Sequence, residues 1–367
     1  MFDLVDIALF SLIAVILIPR FFDNNERTQN TSTVPIMINR RGGAMIPQRR
    51  IPIAPPPDRH NEQHPPTLTS SYEARPEDIV EVKGILSKAR NLPPELVDMI
   101  LDRAEYWACS ATVIDYSNSP QRRISVSGAR PAQDQFLLRT EPLGLTKWSP
   151  SSQDLWRVES EPKRLVKEYA ESELQGLIES SFSTLEHPFR KVVFDIVSCD
   201  QGWSSDIANQ GTYRGSFTWF DAGLDRFDKE NKCVLECPDN LGPGFINIPT
   251  CAIRPIWPTL ENDHGEGLDM GYHHELLPNQ DHLIQRNKQA VGDFQHHHVE
   301  WSWDDDVDPE SAAAETLDEA GRGTGTGNGE FLKNLKFGDM ITVWGRARFP
   351  GWSNNIQRVE VKVYWAF

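Results

Sequence analysis

Ile356-Gln357-Arg358-Val359-Glu360-Val361-Lys362-Val363-Tyr364-Trp365 is the stretch that decides the fold class. Val359, Val361, Val363 and Trp365 share one face of an extended chain, and Arg358, Glu360 and Lys362 share the other. Successive side chains of a strand point to opposite sides, so this is the pattern of a half-buried strand running from Ile356 to Phe367. Other stretches read the same way. Lys191 to Cys199 is a compact apolar run rich in β-branched residues and is predicted to be a central strand. Thr212 to Ala222 alternates through Tyr213, Phe217 and Trp219, and His297, Val299, Trp301 and Trp303 alternate as well. Met340 to Arg348 supplies a further strand. Gly, Pro and Asn clusters separate these runs, as in Asp239 to Pro243 and Pro350 to Asn355. Strands without crossover helices between them predict a mainly β fold. Residues 187–367 are therefore read as a Trp-rich antiparallel β-sandwich or jelly-roll domain, with a few helices N-terminal to it.

One insertion interrupts the strands. Residues 304–329 are acidic, then Ala-rich, then Gly-rich, and are predicted to form a flexible loop. The glycines do not make a phosphate loop, because no Lys-Ser/Thr follows them and the setting is acidic.

Upstream, residues 77–186 read as a helical and irregular region. In Asn91-Leu92-Pro93-Pro94-Glu95 the prolines suit a first helical turn. Leu96, Val97, Ile100, Leu101, Ala104 and Trp107 then recur at helical spacing. The stretch from Leu92 to Leu101 resembles the opening of an F-box, so the helix 92–107 is a candidate adaptor-docking element; the alternative is an amphipathic helix packed on the β domain. A second helix is predicted from Glu161 to Ser180. Residues 23–76 are polar and Pro-rich, which predicts a disordered linker, since such a segment buries too little apolar surface to offset its ordering entropy.

Residues 1–22 form a hydrophobic N-terminal segment. The stretch from Leu4 to Phe22 just reaches the roughly 20 apolar residues that a spanning helix needs. Arg20, Arg27, Arg40, Arg41, Arg49 and Arg50 follow it, and no Lys or Arg precedes it. If it spans, the body of the protein faces the cytosol. Five cysteines, at 109, 199, 233, 237 and 251, are too few and too scattered for a disulfide framework and agree with a reducing compartment. The expected setting is thus membrane-anchored facing the cytosol, or cytoplasmic. Lys and Arg number 37 against 53 Asp and Glu, for a formal charge of -16. That acid excess disfavours nucleic acid as a partner.

Several phrases stand out as a set: Ser198-Cys199-Asp200-Gln201-Gly202-Trp203, Gly211-Thr212-Tyr213-Arg214-Gly215-Ser216-Phe217-Thr218-Trp219-Phe220 and His298-Val299-Glu300-Trp301-Ser302-Trp303. Gly338-Asp339-Met340-Ile341-Thr342-Val343-Trp344 and Arg346-Ala347-Arg348-Phe349-Pro350-Gly351-Trp352 complete it. Together they resemble a domain of uncharacterised fungal proteins. More distantly, the architecture is similar to the galactose-binding-like β-sandwich that follows some F-boxes. The first resemblance implies no assigned activity, and the second implies only a fold.

Candidate ligand-binding residues follow from the loops. Asp200, Gln201 and Trp203 follow a predicted strand, while Trp352 and Asn354 lie between two others; an indole there can stack on a sugar ring while the amides and the carboxylate bind its hydroxyls, and the expected ligand is a protein or a carbohydrate. Trp219 shares the aromatic run, and Arg346 and Arg348 alternate on one strand as donors for a carboxylate or phosphate. The ordinary alternative is that the tryptophans fill a core, Asp200 caps a turn and the arginines are surface charges. His296 and His298, on one strand face with Glu300, are metal candidates for an enzyme. Cys233 and Cys237, with Cys251 and His264, are zinc candidates. No G-x-S-x-G elbow is present, Cys199 has no evident His partner, and no cofactor is implied. The reading that results is a non-enzymatic interaction module, with an F-box-like substrate adaptor and a metal-dependent enzyme as alternatives.

Overall fold

The computed structural model describes residues 74–129, 133–144, 185–227, 253–262 and 270–366. Two helices come first. α1 (Pro76–Arg90) starts on a proline, with the Arg75 N–H donating to the Asp78 carboxylate, and stops at Asn91 in the left-handed conformation. α2 (Pro94–Arg103) buries Val97 and Leu101 and ends as Glu105 turns left-handed and the Tyr106 N–H returns to the Leu101 carbonyl. The expected helix 92–107 is therefore shorter at both ends.

Twelve strands follow among the described residues: β1 (Ala108–Asp115), β2 (Ile124–Ser127), β3 (Asp134–Arg139), β4 (Phe189–Cys199), β5 (Thr218–Phe227), β6 (Ile253–Trp257), β7 (Leu260–Asn262), β8 (Met270–Tyr272), β9 (Leu283–Arg286), β10 (Gln295–Ser302), β11 (Met340–Ala347) and β12 (Ser353–Trp365). Two short helices, α3 (Ala312–Glu319) and α4 (Glu330–Lys333), lie between β10 and β11. The strands make two antiparallel sheets arranged as a sandwich, plus the β7–β8 hairpin. Sheet A runs β1-β12-β4-β10, with β2 also on β12; sheet B runs β3-β11-β5-β6, with β9 also on β5. β12 is the long axis of sheet A, with β2 and then β1 along one edge and β4 along the other. Phe194 and Ile196 of β4, Val359, Val361 and Val363 of β12 and Trp301 of β10 face Phe220 of β5 and Ile341 and Val343 of β11 across one core.

The mainly β reading and the strands at 191–199, 297–303, 340–348 and 356–367 agree with this architecture. Three expectations need correction. The β domain does not start at 187: β1 and β2 belong to sheet A and β3 to sheet B, and residues from Glu73 onward form one compact unit. The strand expected at 212–222 begins only at Thr218, because Gly211 and Gly215 take positive φ and fold the preceding residues into turns. Residues 304–329 are not a loose loop. α3 forms there, and the glycines pack because they lack side chains: Gly323 donates to the Leu283 carbonyl, Gly325 to the Gln280 carbonyl, and the Gly321 carbonyl accepts from Arg286. The hydrophobic segment 1–22, nearly all of the linker 23–76, the helix expected at 161–180 and Cys233, Cys237, Cys251 and His264 lie outside the described residues. Among the described residues, no helix is long and apolar enough to cross a membrane.

The insertion gives a direct test of this packing. A methyl at Gly323 runs into the backbone carbonyl of Gln280, whereas one at Gly84 on α1 meets nothing. Gly323→Ala is expected to lower stability by about 1–3 kcal/mol, as overpacked sites do. Gly84→Ala is expected to raise it by roughly 0.5–1 kcal/mol. Urea unfolding of the two variants checks the pair; equal, small effects are incompatible with a packed insertion.

Candidate binding site

β4, β9 and β11 end at the same end of the sandwich at which β5, β10 and β12 begin, so the loops between them meet there. The loop after β4 carries Asp200, Gln201 and Trp203. Asp200 is buried and accepts from the Gly202 N–H (2.7 Å) and the Ala290 N–H (2.6 Å), while its carbonyl accepts from Asn355. Burial raises its pKa, opposed by those backbone N–H groups. Gln201 donates to the Trp203 carbonyl (2.8 Å) and accepts from the Ser353 N–H (3.1 Å), which ties this loop to the one before β12. Asn354 is fully buried: it donates to the carbonyls of Trp219 and Arg346 in sheet B and accepts from Asn287, which is in turn bonded to Ser198 of sheet A. The amides and the carboxylate expected to hold ligand hydroxyls are thus spent on joining the loops and sheets.

Side chains that need no such partner remain outside. Trp203 is 61% exposed, and its six-membered ring lies over Gly351, which has φ of 95°. Phe217 packs edge-on against Phe349 (4.7 Å between ring centroids) and Trp352 (5.2 Å). Phe349 is itself exposed, as is Ile207 on the same loop as Trp203. Leu276 and Leu277, exposed too, follow Glu275, whose carbonyl accepts from Arg348 at this end. The loop behind the surface is stitched down, with Gly211 and Thr212 exchanging backbone hydrogen bonds with Gln289 and the Gln289 amide reaching the Gly215 carbonyl.

Trp219, Arg346 and Arg348 do not reach this surface. All three are at most 1% exposed, on the face of sheet B away from the core. Arg346 pairs with Asp221 (3.0 Å) and Asp134 (2.9 Å), and Arg348 pairs with Asp134 (2.8 Å) and donates to the Gln133, Ala347 and Glu275 carbonyls. The Arg348 guanidinium lies 5.1 Å from the centre of the Trp219 ring. Tyr272 and His274 cover this layer by packing on Trp344. His274 Nδ1 lies 2.7 Å from an Arg346 nitrogen and must therefore be the acceptor, with its proton on the other nitrogen. Burial, then Arg346 and Arg348, hold its pKa down to about 2. Asp221 moves upward, because burial outweighs the Arg346 charge. Sequence reasoning missed Asp134 and Asp221, and did not place His274 beside Arg346. Two lone arginines within an otherwise uncharged run are the signal that could have pointed to buried partners.

His296 and His298 do share a face of β10, but that face is exposed, and both rings direct a nitrogen to Asp195 Oδ1 (3.1 and 2.8 Å). Glu300 turns instead to Lys191 (3.1 Å). Among the described residues, no group of three His, Cys, Asp or Glu side chains is arranged to hold a metal ion. Cys199 is buried, and its pKa is raised to about 11 by that burial, so it is a thiol at neutral pH. No family model, curated protein or solved structure matches this chain.

The buried layer carries a pH dependence. The unfolded chain takes a proton on His274 below its ordinary value of 6.5, and the folded protein does so only near 2. Stability is therefore lost as pH falls from 6.5, by up to about 1.4 kcal/mol per pH unit for this one group. His297, held down to about 4 by burial, adds in the same direction, whereas Asp221 opposes it. His274→Asn keeps an acceptor for Arg346 and removes the titration. Urea unfolding between pH 4.5 and 7 is expected to give a shallower slope for this variant; an unchanged slope would mean that His274 is protonated in the folded state.

Proposed function

We propose that the domain is a non-enzymatic binding module and that a protein partner docks on the loop end around Trp203. The observation that carries this reading is the separation of roles at that end. Asp200, Gln201 and Asn354 are occupied internally, and what faces outward is Trp203, Ile207, Phe349 and the edge of Trp352. Rigidly held aromatic and aliphatic anchors are the side chains from which protein interfaces draw most of their energy. A sugar site needs oriented polar groups around its indole, and here the nearest ones already have partners. The acid excess of the chain keeps polyanions away, which supports a partner other than nucleic acid. The Cys199 thiol, buried and outside any disulfide, supports a reducing setting, cytoplasmic or membrane-anchored facing the cytosol through residues 4–22.

The two alternatives have less behind them. An adaptor helix free to recruit a partner is at odds with α2, which is latched to β4 by a bidentate Asp102–Arg190 pair and buries Val97 and Leu101. An enzyme using His296, His298 and Glu300 needs a cavity that holds them together; the two histidines lie on an open sheet face and Glu300 is engaged elsewhere.

Trp203→Ala is expected to change stability by less than about 0.5 kcal/mol, as exposed positions do, and to abolish partner binding. A photo-crosslinking residue placed at Ile207 in cells expressing the full chain is expected to yield protein adducts that vanish with Trp203→Ala. Adducts that persist, or none at all, would sink the proposal. Quenching of tryptophan fluorescence by a panel of soluble glycans, lost with Trp203→Ala, would replace the protein partner with a carbohydrate.

A further inference from the structure

On the flank of the domain, two neighbouring cavities of about 260 and 400 Å³ share Met99, Asp102 and Trp107. They lie along α2, which buries Val97 and Leu101 and so turns Leu96, Met99 and Ile100 outward at helical spacing. Met99 is 62% exposed and stands on the ridge between the cavities. Trp107 and Trp303 form the apolar walls behind it, each held in place: the Trp107 N–H donates to Asp102 (2.8 Å), and Arg190 stacks on Trp303 at 4.4 Å.

The charge around these walls is one-sided. Six carboxylates line the two cavities against Arg103, Arg190 and Lys191, and Lys83 pairs with one of them, Asp98 (2.7 Å), which leaves a net charge of -2. Arg190 is committed to Asp102, and Lys191 is shared between Glu300 (3.1 Å) and Glu105 (3.6 Å). Among the described residues, no cation pairs with Glu95 at one end or with Asp304 at the other. The crowding is felt next door, where Asp305 has a raised pKa from burial and then from its neighbours Asp304, Glu300 and Asp306. An apolar ridge between acid-lined hollows attracts one chemistry, an apolar side chain flanked by Lys or Arg.

We propose that this flank is a second interaction surface, separate from the Trp203 end, and that it takes a basic peptide segment of a partner protein with an apolar residue seated over Met99 and Trp107. Phosphate-bearing polymers and anionic lipid surfaces are repelled by the same charge.

A 12-residue phage-displayed peptide library selected on the purified full chain tests this. Enriched sequences are expected to carry at least two Lys or Arg around a Leu, Met or Phe. A synthetic peptide of the enriched sequence is expected to bind at least tenfold more weakly to Met99→Ala and to the double variant Glu95→Lys, Asp304→Lys. Its binding to Trp203→Ala is expected to be unchanged, so failure here is separable from failure at the loop end. All these substitutions are at exposed or partly exposed positions, and circular dichroism of each variant verifies the fold. A library that enriches nothing, or only neutral or acidic sequences, overturns the proposal, as does a peptide indifferent to the charge reversal.

Discussion

Every residue of β11 is buried, on both faces of its sheet, and yet the strand carries Arg346 and leads straight into Arg348. A guanidinium cannot be deprotonated to escape burial, so its counter-charges must be built into the protein. Asp134 on β3 and Asp221 on β5 flank Arg346 from the two neighbouring strands, which makes the pairing a matter of sheet register. Trp344 lies opposite Asp221 and next to Phe136, while Thr342 lies opposite Gly223. There, a side chain would strike the Trp257 carbonyl and Thr342, so the missing side chain lets the β6 segment cross close by. Such buried pairs add little net stability over well-packed apolar residues, but removing one partner is costly. Their effect is to fix which strands can sit beside β11.

The same economy of polar groups shapes the loop end. Six strand termini meet there, and each brings unpaired backbone groups that cannot be left dry. Asp200, Gln201, Asn354 and Asn287 supply those groups with partners and cross-link sheet A to sheet B. Once they are used, the outward surface can only be built from residues that make no such demand, and it is aromatic. Rigidity and exposure have one origin here: the polar network holds still the frame from which Trp203 projects. A preformed surface of this kind loses little entropy on binding.

The core was legible because it is periodic. Val359, Val361, Val363 and Trp365 announce β12 by alternation, and β10 shows the same signal through His297, Val299 and Trp301. β1 and β3 were not legible, since Cys109, Ser110, Thr112 and Gln135 interrupt any apolar period and the strands they pair with lie more than 200 residues away. The candidate site divides along the same line. The loops that carry Trp203 and Trp352 could be located by their position after and before strands, and the structure brings those loops into contact. Arg346 and Arg348 were read as ligand donors because a charged residue on a strand is ordinarily exposed; the Asp134 contact that refutes this spans 212 residues. A one-dimensional pattern records which face a residue occupies and not whether that face is covered.

The Gly-rich insertion shows how far that limit reaches. Low complexity predicted looseness, but the edge of a sandwich needs closing: among the described residues β10 is the last strand of sheet A, and an open edge invites an incoming strand. The insertion leaves β10, crosses to β9 on sheet B and returns to β11, so it spans the gap between the two sheet edges. Arg322 donates to the His298 carbonyl on β10, Gly321 and Gly323 pair with β9, and Phe331 wedges between Trp301 and His282. Glycine is needed because the backbone itself lies against neighbouring backbone, with no room for a side chain at Gly323 or Gly329. Composition reports the absence of side chains, and here that absence is what lets the segment pack: the feature that made it look disordered is the condition for its order.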